Sequence, residues 1–218
     1  MSATRRIQTV IGLLIALGLP FCHRIFTPLF APLGERAGGE AFWWLLFAVV
    51  LLYVLLVERR PLSSLGYRRP GALDLVLGVL AAIVAVVGIG IVFQIALPAL
   101  HLSVNRQMSS LLAAPFLFRA AIVTRAAFVE ETLFRGYGFE RIAEWSGSPA
   151  LAALATWALF TLAHLTSWGW GQVIIAAWGG LALTALYWWR RNLWANILCH
   201  WLTDGAGFLL MPAMVPHH

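Results

Sequence analysis

Glu130-Glu131-Thr132-Leu133-Phe134-Arg135 places two carboxylates and a guanidinium inside an otherwise apolar run. If that run crosses a bilayer, each charge near mid-depth costs roughly 2.5–3.5 kcal/mol on insertion scales. Groups kept at such depth pair with one another, contact water or do chemistry. Two later apolar runs add His164, and then His200 with Asp204. Carboxylates and imidazoles converging from separate helices could activate a water molecule, which is hydrolase chemistry carried out within the membrane.

Glu131 and Arg135 are four residues apart, so on a helix they meet on one face in the favourable order, acid before base. Glu130 is rotated from Glu131 by about 100° and finds no such base at Phe134. The spacing therefore predicts Glu130 as a general base, with Glu131 and Arg135 in support. A poorly solvated carboxylate gains basicity, which suits that role. The competing reading is a structural ion pair that joins two helices. Phe160 and His164 share a face at the same spacing. A single histidine on an apolar helix is more often a satisfied core residue, but beside Glu130 it can hold a water. Asn196, His200 and Asp204 form one stripe at i, i+4 and i+8, which faces a cavity or other protein rather than lipid. Asp204 is expected to fix the tautomer of His200, and the pair to donate hydrogen bonds to a developing oxyanion. The competing reading is a helix–helix hydrogen-bond seam, which is favoured for Asn196 alone.

The elements that must position these residues are membrane helices. The chain has 218 residues, 61% of them hydrophobic and only 11% charged, with a mean hydropathy of +0.83. A soluble domain carries about 25% charged residues. The expectation is one all-α integral-membrane domain over 1–218, a polytopic bundle of about seven to eight helices, with the catalytic helices at 119–211. Apolar segments run approximately over 7–22, 41–57, 73–97, 120–137, 150–168, 173–189 and 193–211. The stretch 111–118 is expected along the outer interface. A span starting near Arg119 puts Glu130 about 16 Å in, near the midplane. The first run follows Arg5-Arg6 and lacks an A-x-A-like cleavage site, so it reads as an uncleaved helix rather than a signal peptide.

Lysine is absent, and most of the arginines sit at helix ends. The net charge of +6 therefore serves topology, and a nucleic-acid partner is excluded. Arg5, Arg6, Arg59, Arg60, Arg68, Arg69, Arg141, Arg190 and Arg191 fall on one side if the N-terminus is cytoplasmic. Arg24, Arg36 and Arg106 fall on the other. That asymmetry predicts an N-terminus inside and a C-terminus outside. Cys22 and Cys199 lie in apolar runs and are expected to stay free.

Glu130-Glu131-x-x-x-Arg135, Phe160-x-x-x-His164 and Asn196-x-x-x-His200-x-x-x-Asp204, in that order on consecutive apolar segments, resemble the motifs of the CPBP intramembrane endopeptidases. That family, also called ABI, comprises CAAX prenyl proteases and bacteriocin-processing or immunity proteins. The resemblance covers roughly 128–204, and the N-terminal third adds only hydrophobicity. Where this chain has Asp204, family members often have asparagine. The resemblance implies a glutamate-dependent intramembrane peptidase of the prokaryotic inner membrane. Glu130 and His164 would activate water, and His200 with Asp204 would stabilise the tetrahedral intermediate. The substrate would be a membrane-associated peptide or protein; the CAAX label implies prenylated C-termini, although many members act on others.

No cofactor is expected under that reading. Zinc held by Glu130, His164 and His200 is the alternative, since two histidines and a carboxylate with an open position make a plausible catalytic set. Against it, no H-E-x-x-H places two ligands one turn apart on a helix. Two non-peptidase readings remain: a transporter or proton relay, and a non-catalytic immunity protein. A transporter predicts a whole polar pathway and often repeat symmetry; the sequence shows one cluster and no repeat.

Overall fold

A computed structural model describes residues 2–103 and 106–210. Met211 and the side chains of Arg36 and Arg106 lie outside the described residues. Among those described, no residue is in a strand. The helices are α1 (Ala3–Phe26), α2 (Ala37–Val57) and α3 (Ala72–Ala99), a short α4 (Arg106–Leu112) and α5 (Phe116–Glu130). A π-helix over Glu131–Phe139 continues α5 into α6 (Glu140–Ser146). Then come α7 (Pro149–Thr166) and α8 (Trp168–Arg190), and α9 (Leu193–Gly205), extended by a π turn over Ala206–Leu210. Five of these, α1, α2, α3, α7 and α8, are long and apolar enough to cross a membrane, and the chain is an integral membrane protein.

Burial follows from that solvent. Leu56, Leu117, Ile83 and Leu181 are exposed, as expected of faces meeting lipid. The buried centre is instead polar in part. All nine residues of the π-helix are buried, Glu131 and Arg135 among them. This segment packs against parts of α1, α2, α8 and α9 and against the loop holding Leu65, so it has no lipid face. Long π stretches are rare and gather at functional sites.

Local chemistry sets the helix ends. Ser148 caps α7 by accepting from the Leu151 N–H at 3.2 Å, and Pro149 occupies the first helical position, where no N–H is needed. Asn192 caps α9 through the Trp194 N–H at 3.0 Å. Pro115 precedes α5, which starts at Phe116 rather than near Arg119. The expected interfacial stretch 111–118 is therefore divided: its first residues end α4, and Phe116–Phe118 open the span. This start places Glu130 about 21 Å along its helix.

α7 and α8 meet at Gly169, whose φ of 76° and ψ of −179° belong to a region open essentially to glycine. The chain reverses there. Trp157 Nε1 reaches Ala177 O across the hairpin at 2.8 Å. α9 packs chiefly on α3. A Cβ on Gly78 would lie 2.8 Å from the Ala195 carbonyl oxygen, so glycine is what lets those helices touch.

Four ion pairs tie one end of the bundle together: Arg141–Glu58 at 2.6 Å, Arg190–Asp74 at 2.8 Å, Arg191–Glu140 at 3.2 Å and Arg60–Glu144 at 2.5 Å. Gln8 adds the start of α1 by donating to Val57 O at 3.1 Å. The hydrogen bond from Arg60 holds the Glu144 carboxyl below its usual range. Arg60, Arg141, Arg190 and Arg191, four of the arginines expected on one side, thus meet at one end. Cys22 and Cys199 are free.

Candidate active site

Glu131 is a fully buried carboxylate held by three donors. Its Oε1 accepts from Arg135 Nη1 at 2.9 Å and from His200 Nδ1 at 2.8 Å; its Oε2 accepts from Asn196 Nδ2 at 3.1 Å. Both members of the Glu131–Arg135 pair are fully buried. Arg135 is also fixed on its other nitrogen, Nη2, which donates to Gly180 O at 3.0 Å. Asn196 Nδ2 donates as well to Leu183 O at 2.8 Å. Asn196 and His200 of α9 therefore face the π-helix, and Asn196 also bonds α8.

Glu130, one residue earlier, points elsewhere, as its rotation predicted. It lines a small cavity with His164, Phe134, His23, Trp43 and Trp168. The free space of about 40 Å³ exceeds the ~10–15 Å³ that one water needs. Glu130 does have a basic partner, though not at Phe134. Arg125 Nη1 donates to Glu130 Oε1 at 3.1 Å. Sequence reasoning looked one turn ahead, to Phe134, and missed a base five residues behind.

His164 has a defined tautomer. Its Nδ1 lies 2.8 Å from Phe160 O, and a carbonyl oxygen only accepts, so the proton sits on Nδ1. A neutral ring then keeps a lone pair on Nε2. For His200 the closer carboxylate is Glu131, not Asp204. Nδ1 donates to Glu131, whereas Nε2 stands 3.5 Å from Asp204 Oδ2, a long contact. Nothing in the sequence distinguished these carboxylates, because Glu131 is 69 residues away from His200.

Phe160 links the two halves. Its ring centroid is 4.8 Å from that of His164 and 6.3 Å from that of His200. The Arg135 guanidinium stacks 4.2 Å above it. Gly180 leaves no room beyond it: a Cβ there would lie 2.8 Å from Phe160 Cδ1. One side thus holds Glu130 and His164 at a cavity, and the other holds Glu131, Arg135, Asn196 and His200 in a bonded cluster.

Residues 111–206 match the family model described as type II CAAX prenyl endopeptidase, Rce1-like. This stretch is thus similar to the Rce1-like family. It spans α5 to α9 and all eight residues singled out by the motifs, in agreement with the resemblance read from them. No curated protein and no solved structure matches the chain. The Rce1-like family supports an intramembrane protease with peptide or protein substrates at the membrane.

The residues of the alternative zinc set divide between the two sides. Glu130 and His164 share a cavity, but His200 Nδ1 is committed to Glu131 and His200 is not part of the cavity lining. Among the described residues, no three His, Cys, Asp or Glu side chains are grouped to hold a metal ion.

Proposed function

We propose that the chain is a glutamate-type intramembrane endopeptidase in which Glu130 and His164 activate a water. The observation that carries this reading is their shared cavity, with the His164 Nδ1 proton tied to Phe160 O. That leaves His164 Nε2 as an acceptor for a water proton. Glu130 Oε1 is held by Arg125, and Oε2 is the oxygen available to take a proton as the water attacks a peptide carbonyl. The same carboxyl group then delivers that proton to the departing amine.

The attacked carbonyl oxygen gains negative charge and needs a donor. His200 fits if Nε2 carries a hydrogen. Since Nδ1 already donates to Glu131, that ring is the doubly protonated imidazolium. Asp204, as a carboxylate, donates nothing; its part is to orient Nε2–H. Glu131, Arg135, Asn196 and Phe160 hold this arrangement in place. The catalytic helices of the notional stretch 119–211 then work together with α1 and α2, which supply His23 and Trp43 to the cavity wall.

The family description suggests a prenylated peptide with a CAAX-type C-terminus as the probe. Purified protein in detergent should cleave it internally. Glu130→Gln keeps the shape and removes the basic oxygen, so turnover should fall by the ~10²–10⁴-fold typical of a lost general base. Full activity in folded Glu130→Gln would end this reading.

A further inference from the structure

Arg125 bonds a motif residue at the site but belongs to no motif itself. It lies on α5 with its side chain 10% exposed, and three groups surround it. Nε donates to Glu40 Oε2 of α2 at 3.3 Å, and Nη1 donates to Glu130 Oε1 at 3.1 Å. Its guanidinium carbon stands 5.4 Å from the Trp43 ring centroid. Two of the three partners, Glu40 and Trp43, belong to α2, outside the Rce1-like stretch, and Trp43 also walls the cavity. Arg125 is therefore anchored by a second helix, and Glu130 is the group it presents.

We propose that Arg125, clamped by Glu40 and Trp43, is the positioning residue for the Glu130 carboxylate, and that α2 is thereby part of the catalytic apparatus. The proposal rests on Glu130 being the base. A carboxylate in a small cavity can rotate about its last bonds. A guanidinium on Oε1 fixes that rotation and leaves Oε2 to face the water. The guanidinium fork supplies direction as well as charge. An ammonium at the same place supplies charge without the planar geometry. Displacing a reacting group by about 1 Å can cost on the order of 10²-fold in rate.

Five variants in the full chain test this, with the prenylated peptide as the activity probe. Arg125→Gln should lower kcat by on the order of 10²-fold with little change in KM, as expected for misplacement of a reacting group. Arg125→Lys should recover part of the loss. Glu40→Gln, which leaves the Arg125–Glu130 contact in place, should lower kcat less than Arg125→Gln while the thermal midpoint stays near that of the wild type. Guanidinium chloride at low concentration should restore turnover to Arg125→Ala and not to Glu130→Gln. A second readout needs no turnover. A water-soluble carbodiimide followed by mass spectrometry should label Glu130 faster in Arg125→Gln than in wild type, because the carboxylate is released from its partner.

Unchanged kcat in Arg125→Gln and Arg125→Lys, beside an inactive Glu130→Gln, would overturn the positioning role and leave the base intact. An active Glu130→Gln would instead remove the base. The carbodiimide comparison would then decide the Arg125 contact by itself, with unaltered labelling of Glu130 counting against it. If Arg125→Gln does not fold, Glu40→Gln and the guanidinium rescue decide.

Discussion

Glu131 Oε1 and His200 Nδ1 are joined by a hydrogen bond of 2.8 Å. The second glutamate of the motif is thus the group that orients the histidine of the last helix. It does so while also neutralising Arg135, which makes Glu131 a shared support. Its loss should be felt first in folding. Glu131→Gln leaves Arg135 buried without its counter-charge, a situation that costs about 3–5 kcal/mol. The folded yield and the thermal midpoint in detergent should both drop. A midpoint equal to the wild type would show that the pair is dispensable.

His200 and Asp204 should behave as a unit in catalysis. Loss of an oxyanion donor costs about 2.7–4 kcal/mol in the transition state and little in ground-state binding. Steady-state kinetics of His200→Ala and Asp204→Ala should show kcat strongly reduced and KM nearly unchanged. The double variant should be little worse than either single one. Asp204→Asn should be milder than Asp204→Ala, since an amide oxygen still orients Nε2–H. Additive losses, or a raised KM with normal kcat, would move both residues into substrate binding.

Gly180 offers a test of the packing around Phe160. A methyl group there meets Phe160 Cδ1 at 2.8 Å, and overpacking a tight site costs about 1–3 kcal/mol. Gly180→Ala should lower the thermal midpoint and also reduce kcat, because Phe160 touches both histidines. A change in stability with kcat untouched would mean that the ring's position does not govern the site.

Metal content separates the glutamate and zinc mechanisms directly. Exhaustive chelation should leave turnover of the prenylated peptide unchanged, and elemental analysis of active protein should find no stoichiometric zinc. One zinc per chain, with activity lost on removal and regained on return, would reverse the assignment.

Topology is the remaining test. The ion-paired end of the bundle carries most of the arginines, so it should be cytoplasmic. Single cysteines beside Arg59 and Arg190 should be protected from an impermeant thiol reagent in intact cells, and one beside Arg24 should react. The opposite pattern would invert the chain. The same experiment places the cavity, since His23, Trp43 and Trp168 lie toward the end away from those ion pairs.

The helices were legible because lipid demands long apolar runs, and the run boundaries fall close to the observed ones. The Glu131–Arg135 pair was legible because both ends lie on one helix at a fixed spacing. The bonds from Asn196 and His200 to Glu131 were not, since each spans more than sixty residues and any buried carboxylate would have served equally well on paper. Arg125 escaped for a related reason. A five-residue offset is not a standard helical neighbour, and its anchors on α2 come from a segment that carries no motif. The π-helix was equally hidden, as its composition does not differ from that of an α-helix.

Several of the bonds that shape the site end on main-chain carbonyls: Phe160 O for His164, Gly180 O for Arg135 and Leu183 O for Asn196. Every residue type carries that acceptor. Leu183 is therefore free, as far as Asn196 is concerned, to differ among related proteins, and an alanine scan would pass over it without effect on this bond. Part of the scaffold is in this way hidden from comparison of side chains and is recorded only in the path of the backbone.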